Sequence, residues 1–281
     1  MITNKYFRIS TFGALYFVQG ALMSYFLTFN IIYLGEAGYK ETDVGIFQSI
    51  LAIPFVLKLF IGMFSDGVNF FGLGHRKPYI VIGLFLQGLA MFIISQLDPK
   101  SSLMTFALIA LAGSIGMALY DTCTDGMALD TTEEKDRSLV QGVMIGGRAA
   151  GILGFLLLGG FIKESAGWDW VFYSEALLPL LIIPMVLLLS EGEVTHKEKF
   201  EWSAFKSFKN FNIVLLVLMG IIYTLTIDGI YTFLSDYLKD EIKLTISRVT
   251  MFIALAMVGR IVGALTSTWT TKILGRRNSI F

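Results

Sequence analysis

Six ionisable side chains interrupt stretches of sequence that are otherwise apolar: Lys58, Asp121, Asp125, Arg148, Asp228 and Arg260. Asp121 and Asp125 are four residues apart, which places two carboxylates on one face of a helix. At 1.5 Å per residue, Lys58, Asp121 and Arg148 lie about 12, 13 and 15 Å from the same membrane face. We therefore predict a neutral four-charge cluster of Lys58, Asp121, Asp125 and Arg148 that binds a solute or a proton. The alternatives are a structural lock between helices and, for Lys58, extension to the aqueous interface.

Three further residues are candidates for the same site. Asp228 precedes Gly229, which would let its helix bend around a solute, although Asp228 could equally face water near the outer mouth. Arg260 follows Gly259, the position that corresponds to Lys58 at an offset of 201 residues. Gln19 could hydrogen-bond a polar solute or make an ordinary contact between helices.

The composition indicates a membrane protein and excludes several classes of function. Of the 281 residues, 55% are hydrophobic and 16% are charged, whereas soluble domains are about 25% charged. Lys+Arg and Asp+Glu balance at 22 each, so nothing indicates nucleic acid. The chain has one cysteine and two histidines, too few for a typical zinc site and unfavourable for a Ser-His-Asp triad. The sequence also contains no P-loop motif for binding nucleotides. We therefore expect that the protein binds no cofactor or metal and is not an enzyme.

Eight segments are long and apolar enough to cross a bilayer, which takes about 20 residues. They are 9–34, 44–65, 78–97, 102–129, 138–162, 170–190, 211–235 and 248–271. The sequence therefore predicts an all-α, polytopic membrane protein. Because polar residues are concentrated in 191–210, we expect a six-helix bundle over 1–190, a linker over 191–210 and two further helices within 211–281.

The distribution of basic residues predicts the orientation. With the N-terminus in the cytoplasm, 13 Lys and Arg residues fall on the cytoplasmic side and six on the other. Since cytoplasmic loops carry the excess of Lys and Arg, we predict a cytoplasmic N-terminus and linker in a plasma (inner) membrane.

Two motifs carry a resemblance to a known family. Gly62, Gly74 and Arg76 recur 201 residues later as Gly263, Gly275 and Arg277, as expected for a transporter built from related halves. The stretch Gly62–Asp66 with the basic turn Gly74–Lys77 resembles the signature of the major facilitator superfamily. Within that superfamily, the chain resembles the cluster that contains muropeptide permeases, acetyl-coenzyme-A transporters and folate-biopterin transporters. The residues that carry this resemblance are Pro54–Lys58, Asp121–Asp125, Arg137 and Gly147–Arg148.

The resemblance implies an architecture of twelve helices in two halves, of which this sequence holds about eight. The second bundle, 211–281, is then incomplete, and we expect the chain to be C-terminally truncated and inactive in uptake by itself. Four residues at the cytoplasmic end are predicted to form a gate of state-dependent bridges: Asp66, Arg76, Lys77 and Arg137.

The function that these observations favour is secondary active transport of a polar organic solute by alternating access. Protons are the expected coupling ion because buried carboxylates are present, so the protein is predicted to be a symporter. Its expected partners are the lipid bilayer, a small solute and protons, and we expect a monomer. The alternatives are a non-transporting membrane scaffold or assembly factor and an inactive fragment.

Overall fold

The computed structural model describes residues 4–67, 74–191 and 209–259. The first helix is continuous but changes its winding near the middle. It consists of α1 (Lys5–Ser24), a π-helical turn (Tyr25–Phe29) and α2 (Asn30–Glu36), and the Asn4 side chain caps its start by accepting from the backbone N–H of Tyr6. A π-helical turn inside an α-helix is rare and frequently marks a functional site. We call Tyr25–Phe29 the π segment.

The second predicted helix, 44–65, is divided into two. α3 (Glu41–Val56) and α4 (Lys58–Gly67) meet at Leu57, whose φ of −85° and ψ of 3° are not helical. Pro54 lies one turn before the break. Because its ring removes a backbone donor and crowds the preceding turn, the prediction of an uninterrupted helix is wrong here. The break makes Lys58 the first residue of α4.

Over the described residues, the remaining helices follow the predicted segments closely. They are α5 (Lys77–Ile94), α6 (Leu103–Thr131), α7 (Arg137–Ala166), α8 (Trp168–Leu188), α9 (Phe211–Asp236) and α10 (Ile246–Gly259). Among the described residues, five helical stretches are long and apolar enough to cross a membrane: Lys5–Glu36, Lys77–Ile94, Leu103–Thr131, Glu134–Ala166 and Trp168–Leu188. The all-α prediction is confirmed. The described apolar parts of α9 and α10 are shorter.

Glycines allow the helices within residues 4–191, which we call the first unit, to approach backbone to backbone. A Cβ atom built on Gly20 of α1 would lie 2.1 Å from the carbonyl oxygen of Arg148 in α7. Likewise, a Cβ on Gly83 of α5 would lie 2.5 Å from the carbonyl oxygen of Gly116 in α6. Since real Cβ atoms cannot come so close, these contacts require glycine and fix the spacing of α1 with α7 and of α5 with α6.

The helices alternate in direction, so the bundle has two chemically different ends. One end holds the start of α1 and the basic turn before α5, with Arg76 and Lys77, and we call it the basic end. The other holds the turns at Gly38, Pro99 and Gly167, and we call it the opposite end. The predicted division into units 1–190, 191–210 and 211–281 stays a prediction, because residues 192–208 lie outside the described ranges.

Candidate functional site

A cavity of about 370 Å³ lies at mid-depth among the helices of the first unit. Most of its wall is apolar, and its polar residues are Gln19, Gln48, Lys58, Asp121 and Arg148. An apolar pocket with a few convergent polar groups is the usual form of a small-molecule site.

Asp121 is the centre of the charged wall. One oxygen of its carboxylate forms an ion pair with Lys58 Nζ, and the other oxygen lies 3.6 Å from a terminal nitrogen of Arg148. The Asp121 side chain is 0% exposed, whereas the side chains of Lys58 and Arg148 are 33% and 36% exposed. The carboxylate is therefore enclosed between two cations that each keep an accessible face. We call Lys58, Asp121 and Arg148 the charge triad.

Residues of α1 hold Arg148 in place. Its Nε donates to the side-chain oxygen of Gln19 at 2.8 Å, and its guanidinium lies 4.6 Å from the ring centroid of Tyr16. A cation over an aromatic ring is attracted by the negative face of the ring. Gln19, Tyr16 and Asp121 thus fix the orientation of Arg148 from two different helices.

Asp125 makes no direct ion pair with Lys58 or Arg148 among the described contacts, although its charge acts on Lys58. It lies one turn from Asp121 along α6, and its carboxylate accepts a hydrogen bond from the hydroxyl of Tyr16. The structure thus brings together three of the four predicted charges by direct ion pairs and ties the fourth to a tyrosine. The pairing of Tyr16 with Asp125 was not predicted, because a lone tyrosine in an apolar helix does not indicate which residue it will contact.

The π segment forms another part of the cavity wall. Phe26 and Leu27 line the cavity, and the side-chain amide of Gln48 in α3 donates to the carbonyl oxygen of Phe26 at 2.6 Å and to Asn30 Oδ1 at 3.2 Å. π winding leaves a carbonyl available for such a bond. The analysis of the sequence missed Gln48, although a glutamine inside an apolar helix is a detectable signal.

Two of the predicted site residues are not described in this structure. The backbone of Asp228 lies in α9, but its side chain and all of Arg260 lie outside the described residues. Their assignment to the site stays a prediction.

The predicted gate residues tie together helices of the first unit at the basic end. Arg76 Nε donates to Asp130 of α6 at 2.7 Å, and Lys77 Nζ donates to the carbonyl oxygen of Leu187 in α8 at 3.3 Å. The carboxylate of Glu191 accepts the backbone N–H groups of His75, Arg76 and Lys77. A carboxylate at the start of a helix also complements its dipole, so Glu191 caps α5.

The other two gate candidates are less informative. Arg137 is exposed in the first turn of α7, and the side chain of Asp66 lies outside the described residues. The gating role of Asp66, Arg76, Lys77 and Arg137 remains a prediction. Glu191 was missed because it follows the last predicted helix of the first unit, where it was grouped with the linker.

At the opposite end, side chains of the first unit contact the segments that follow α9. Glu36 lies 3.4 Å from Lys163 and 3.8 Å from Lys239, and it accepts the indole N–H of Trp168 at 2.7 Å. We call these four residues the Glu36 cluster. Close by, Glu164 accepts the backbone N–H of Ser247, at the start of α10, at 2.8 Å. These contacts hold the segment that follows α9 against α2, and the start of α10 against α7.

Removing the charge of Glu36 is expected to loosen this end. Of its two ion pairs, the one with Lys239 joins α2 to the segment that follows α9. A partly exposed pair contributes up to about 1 kcal/mol, so Glu36→Gln should shift the equilibrium toward separation of these two segments up to about fivefold. Spin labels at positions 165 and 243, in a Cys123→Ser background, would report longer and broader distances in the variant. Glu133→Gln, at the basic end, is the control, and an unchanged distance distribution in Glu36→Gln would contradict the expectation.

Comparison with known proteins agrees with the helical architecture. Residues 12–281 match the family model described as Major Facilitator Superfamily. A protein named probable folate-biopterin transporter 7 from Arabidopsis thaliana is 29% identical over 175 residues, which are 59% of this chain and 39% of that protein. The folate-biopterin transporter of Synechocystis sp. is 26% identical over 189 residues, 66% of this chain and 38% of that protein.

The chain spans about two-fifths of the length of these two curated relatives. Among solved structures, a bacterial homologue of the human lysosomal transporter Spinster, in an inward-facing and unoccupied conformation, superposes with a TM-score of 0.77 at 14% identity. That match covers 98% of this chain and 64% of the solved chain. The resemblance to the folate-biopterin transporter cluster is confirmed. The chain is an integral membrane protein and belongs to the Major Facilitator Superfamily, a family of transporters and not of enzymes.

Proposed function

We propose that the protein is a secondary transporter that moves a polar, anionic organic solute by alternating access together with protons. The observation that carries the proposal is the charge triad, in which Lys58 and Arg148 share one enclosed carboxylate on the wall of the cavity. Among the residues that line the cavity, two cations face one carboxylate, while Asp125, which also acts on Lys58, lies outside the lining. Such a wall favours a solute that carries a carboxylate.

The rest of the cavity suits a solute with a flat, apolar part. Phe26, Phe55, Met23 and Met117 supply aromatic and thioether surface, and Gln48 adds an amide. Two relatives are named for transport of folate and biopterin. Folate combines a ring system with carboxylates, so it is the solute we choose as a probe.

Competition for the two cations would couple the solute to a proton. When a solute carboxylate takes the N–H groups of Lys58 and Arg148, Asp121 loses its partners while it remains buried. An unpaired carboxylate at membrane depth costs several kcal/mol, so it is more stable with a proton bound. Each bound solute would then bring one proton, and when the solute leaves, the cations return to Asp121 and expel the proton.

The contacts at the opposite end support an alternating-access cycle. With the Glu36 cluster formed, solute would reach the cavity from the basic end, and breaking that cluster would open the other route. We place the basic end in the cytoplasm of a plasma (inner) membrane, and we propose that a monomer in the lipid bilayer carries out the cycle.

Folate binding to the purified chain tests the proposal. Wild-type protein should bind folate in equilibrium dialysis and take up about one proton per folate, measured with a pH indicator in weakly buffered solution. Arg148→Gln should weaken binding roughly 10- to 100-fold, because a hydrogen bond to a charged group is worth about 1.5–3 kcal/mol. Lys135→Gln, which changes an exposed loop cation, should bind as wild type does. Equal affinities for folate in all three proteins would contradict the proposal.

Labelling of single cysteines tests the orientation. In a Cys123→Ser background, Lys135→Cys should react with an impermeant maleimide only after the cells are opened, and Lys100→Cys should react in intact cells. Both positions are exposed and lie at opposite ends of the bundle. Labelling of both positions from the same side would contradict the cytoplasmic N-terminus.

A further inference from the structure

Glu175, in the middle of α8, is a buried carboxyl group that the proposed mechanism does not use. It is 1% exposed, and neither of its side-chain oxygens has a hydrogen-bond partner among the described residues. Charged side chains at membrane depth are rare, and they normally pair with an opposite charge or mark a functional site. Glu175 therefore needs an explanation that packing alone does not provide.

Neutral polar groups from three other helices lie in the region of Glu175. Phe172, three residues before it on the same face of α8, packs edge-on against Tyr25 of the π segment with ring centroids 5.9 Å apart. A Cβ on Gly88 of α5 would lie 2.9 Å from the carbonyl oxygen of Ala176, and the buried Gln87 is the next residue of α5. The hydroxyls of Tyr25 and of Tyr120 in α6 both interact electrostatically with Glu175.

These neighbours are themselves unpartnered. Gln87, Tyr25 and Tyr120 are at most 1% exposed, and both amide atoms of Gln87 and the two tyrosine hydroxyls lack hydrogen bonds among the described residues. The group as a whole contains donors, acceptors and one carboxyl but no cation. Within the described chain, α1, α5 and α7, the helices packed against α8, bring no cation close enough to act on Glu175. Arg148 of α7 acts on Tyr120 instead.

The contrast with Asp121 indicates which carboxyl group carries a proton before any solute binds. Asp121 lies between two cations, which stabilise its charged form. Glu175 has only neutral neighbours, and an isolated charge in such a place costs far more than a neutral acid, which can also donate a hydrogen bond. Neutral Glu175 can both donate to and accept from groups such as tyrosine hydroxyls and a glutamine amide, and it needs no counter-ion.

Both tyrosines beside Glu175 are direct chain neighbours of cavity residues. Tyr25 precedes Phe26 in the π segment, and Tyr120 precedes Asp121 of the charge triad. A charge on Glu175 would attract both hydroxyls, and movement of Tyr25 or Tyr120 would displace Phe26 or Asp121. The state of Glu175 is thus connected to two walls of the cavity.

We propose that Glu175 is a second proton-binding site, which is occupied in the arrangement described here and which controls the shape of the cavity through Tyr25 and Tyr120. Its role in transport rests on the proposed proton-coupled function. Its charge state does not, and that can be measured without a solute.

Infrared spectroscopy of the chain in lipid vesicles tests the charge state. At pH 7, wild-type protein should show the C=O stretch of a protonated carboxylic acid, and Glu175→Gln should lose this band while Glu134→Gln, an exposed control, keeps it. If Glu175→Gln does not fold, Tyr25→Phe and Tyr120→Phe should shift the band instead. A band that is absent at pH 7, that persists in Glu175→Gln, or that is insensitive to both tyrosine variants would overturn the proposal.

The pH dependence of folate binding tests the connection to the cavity. The Asp121→Asn variant lacks the proton site of the triad. We expect its affinity for folate, corrected for titration of folate itself, still to fall severalfold when the pH is made alkaline, because Glu175 then loses its proton. Adding Glu175→Gln should abolish that loss, whereas adding Glu134→Gln should not. No remaining pH dependence in Asp121→Asn, or one that survives Glu175→Gln, would overturn the connection. Failure of wild-type protein to bind folate would contradict the proposed function and leave the infrared result standing.

Discussion

Gly151→Leu is expected to destabilise the first unit by at least about 3 kcal/mol, whereas Gly146→Leu on the same helix should change stability by less than about 0.5 kcal/mol. A Cβ on Gly151 would lie 2.0 Å from the carbonyl oxygen of Phe17 and 2.9 Å from the backbone nitrogen of Ala21. Nothing lies within 4 Å of a Cβ on Gly146. The first substitution must push α1 away from α7, and the second only adds an apolar side chain to an open surface.

The measurement is the thermal unfolding midpoint together with the yield of monodisperse protein after size-exclusion chromatography. Gly151→Leu should give little or no monodisperse protein, and Gly146→Leu should match the wild type. Because Gln19 and Arg148 lie on these two helices and are joined by a 2.8 Å hydrogen bond, the close approach also positions the site. Equal stability of the two variants would show that α1 and α7 can pack without the glycine contact.

The charge triad could be predicted from the sequence because depth in a membrane follows from residue count. A rise of 1.5 Å per residue placed Lys58, Asp121 and Arg148 at one level, and the cost of buried charge required them to meet. The i, i+4 spacing also put Asp125 on the same face as Asp121. The spacing could not show that Tyr16 of α1 would donate a hydrogen bond to Asp125. The rotation of one helix relative to another depends on packing, which the sequence of a single helix does not reveal.

The glycine contacts illustrate the same limit. Gly142, Gly146, Gly147, Gly151 and Gly154 occur at similar spacings in α7, yet a Cβ would meet the backbone of α1 only at Gly147 and Gly151. The spacing identifies a helix that can pack closely but not the partner that it packs against.

Glu175 was a different kind of omission. The rule that selected Lys58 and Asp121, an ionisable residue within an apolar span, applies equally to Glu175 in the segment 170–190. The sequence could have identified it as a candidate. Its neutral surroundings could not have been predicted, because they come from the side-by-side packing of α1, α5, α6 and α8.

At pH 7, where we propose that Glu175 already carries its proton, Asp121→Asn is expected to abolish proton uptake on folate binding and to tighten that binding about tenfold or more. The asparagine keeps the shape of the side chain but cannot take up a proton, and it competes more weakly for Lys58 and Arg148 than a carboxylate does. The two cations are each about one-third exposed, so we expect them to remain solvated and the protein to fold. Calorimetry in two buffers of different ionisation enthalpy gives both the affinity and the number of protons.

Asp125→Asn is the matched control for this experiment, because it changes the second carboxylate on the same helix. Asp125 accepts a hydrogen bond from Tyr16 and forms no ion pair with Lys58 or Arg148 among the described contacts. A solute carboxylate that binds the two cations therefore releases Asp121 and leaves Asp125 with its partner. We expect Asp125→Asn to keep about one proton per folate. If uptake persisted in Asp121→Asn and disappeared in Asp125→Asn, the proton would belong to Asp125, and competition for the two cations would not be the coupling step.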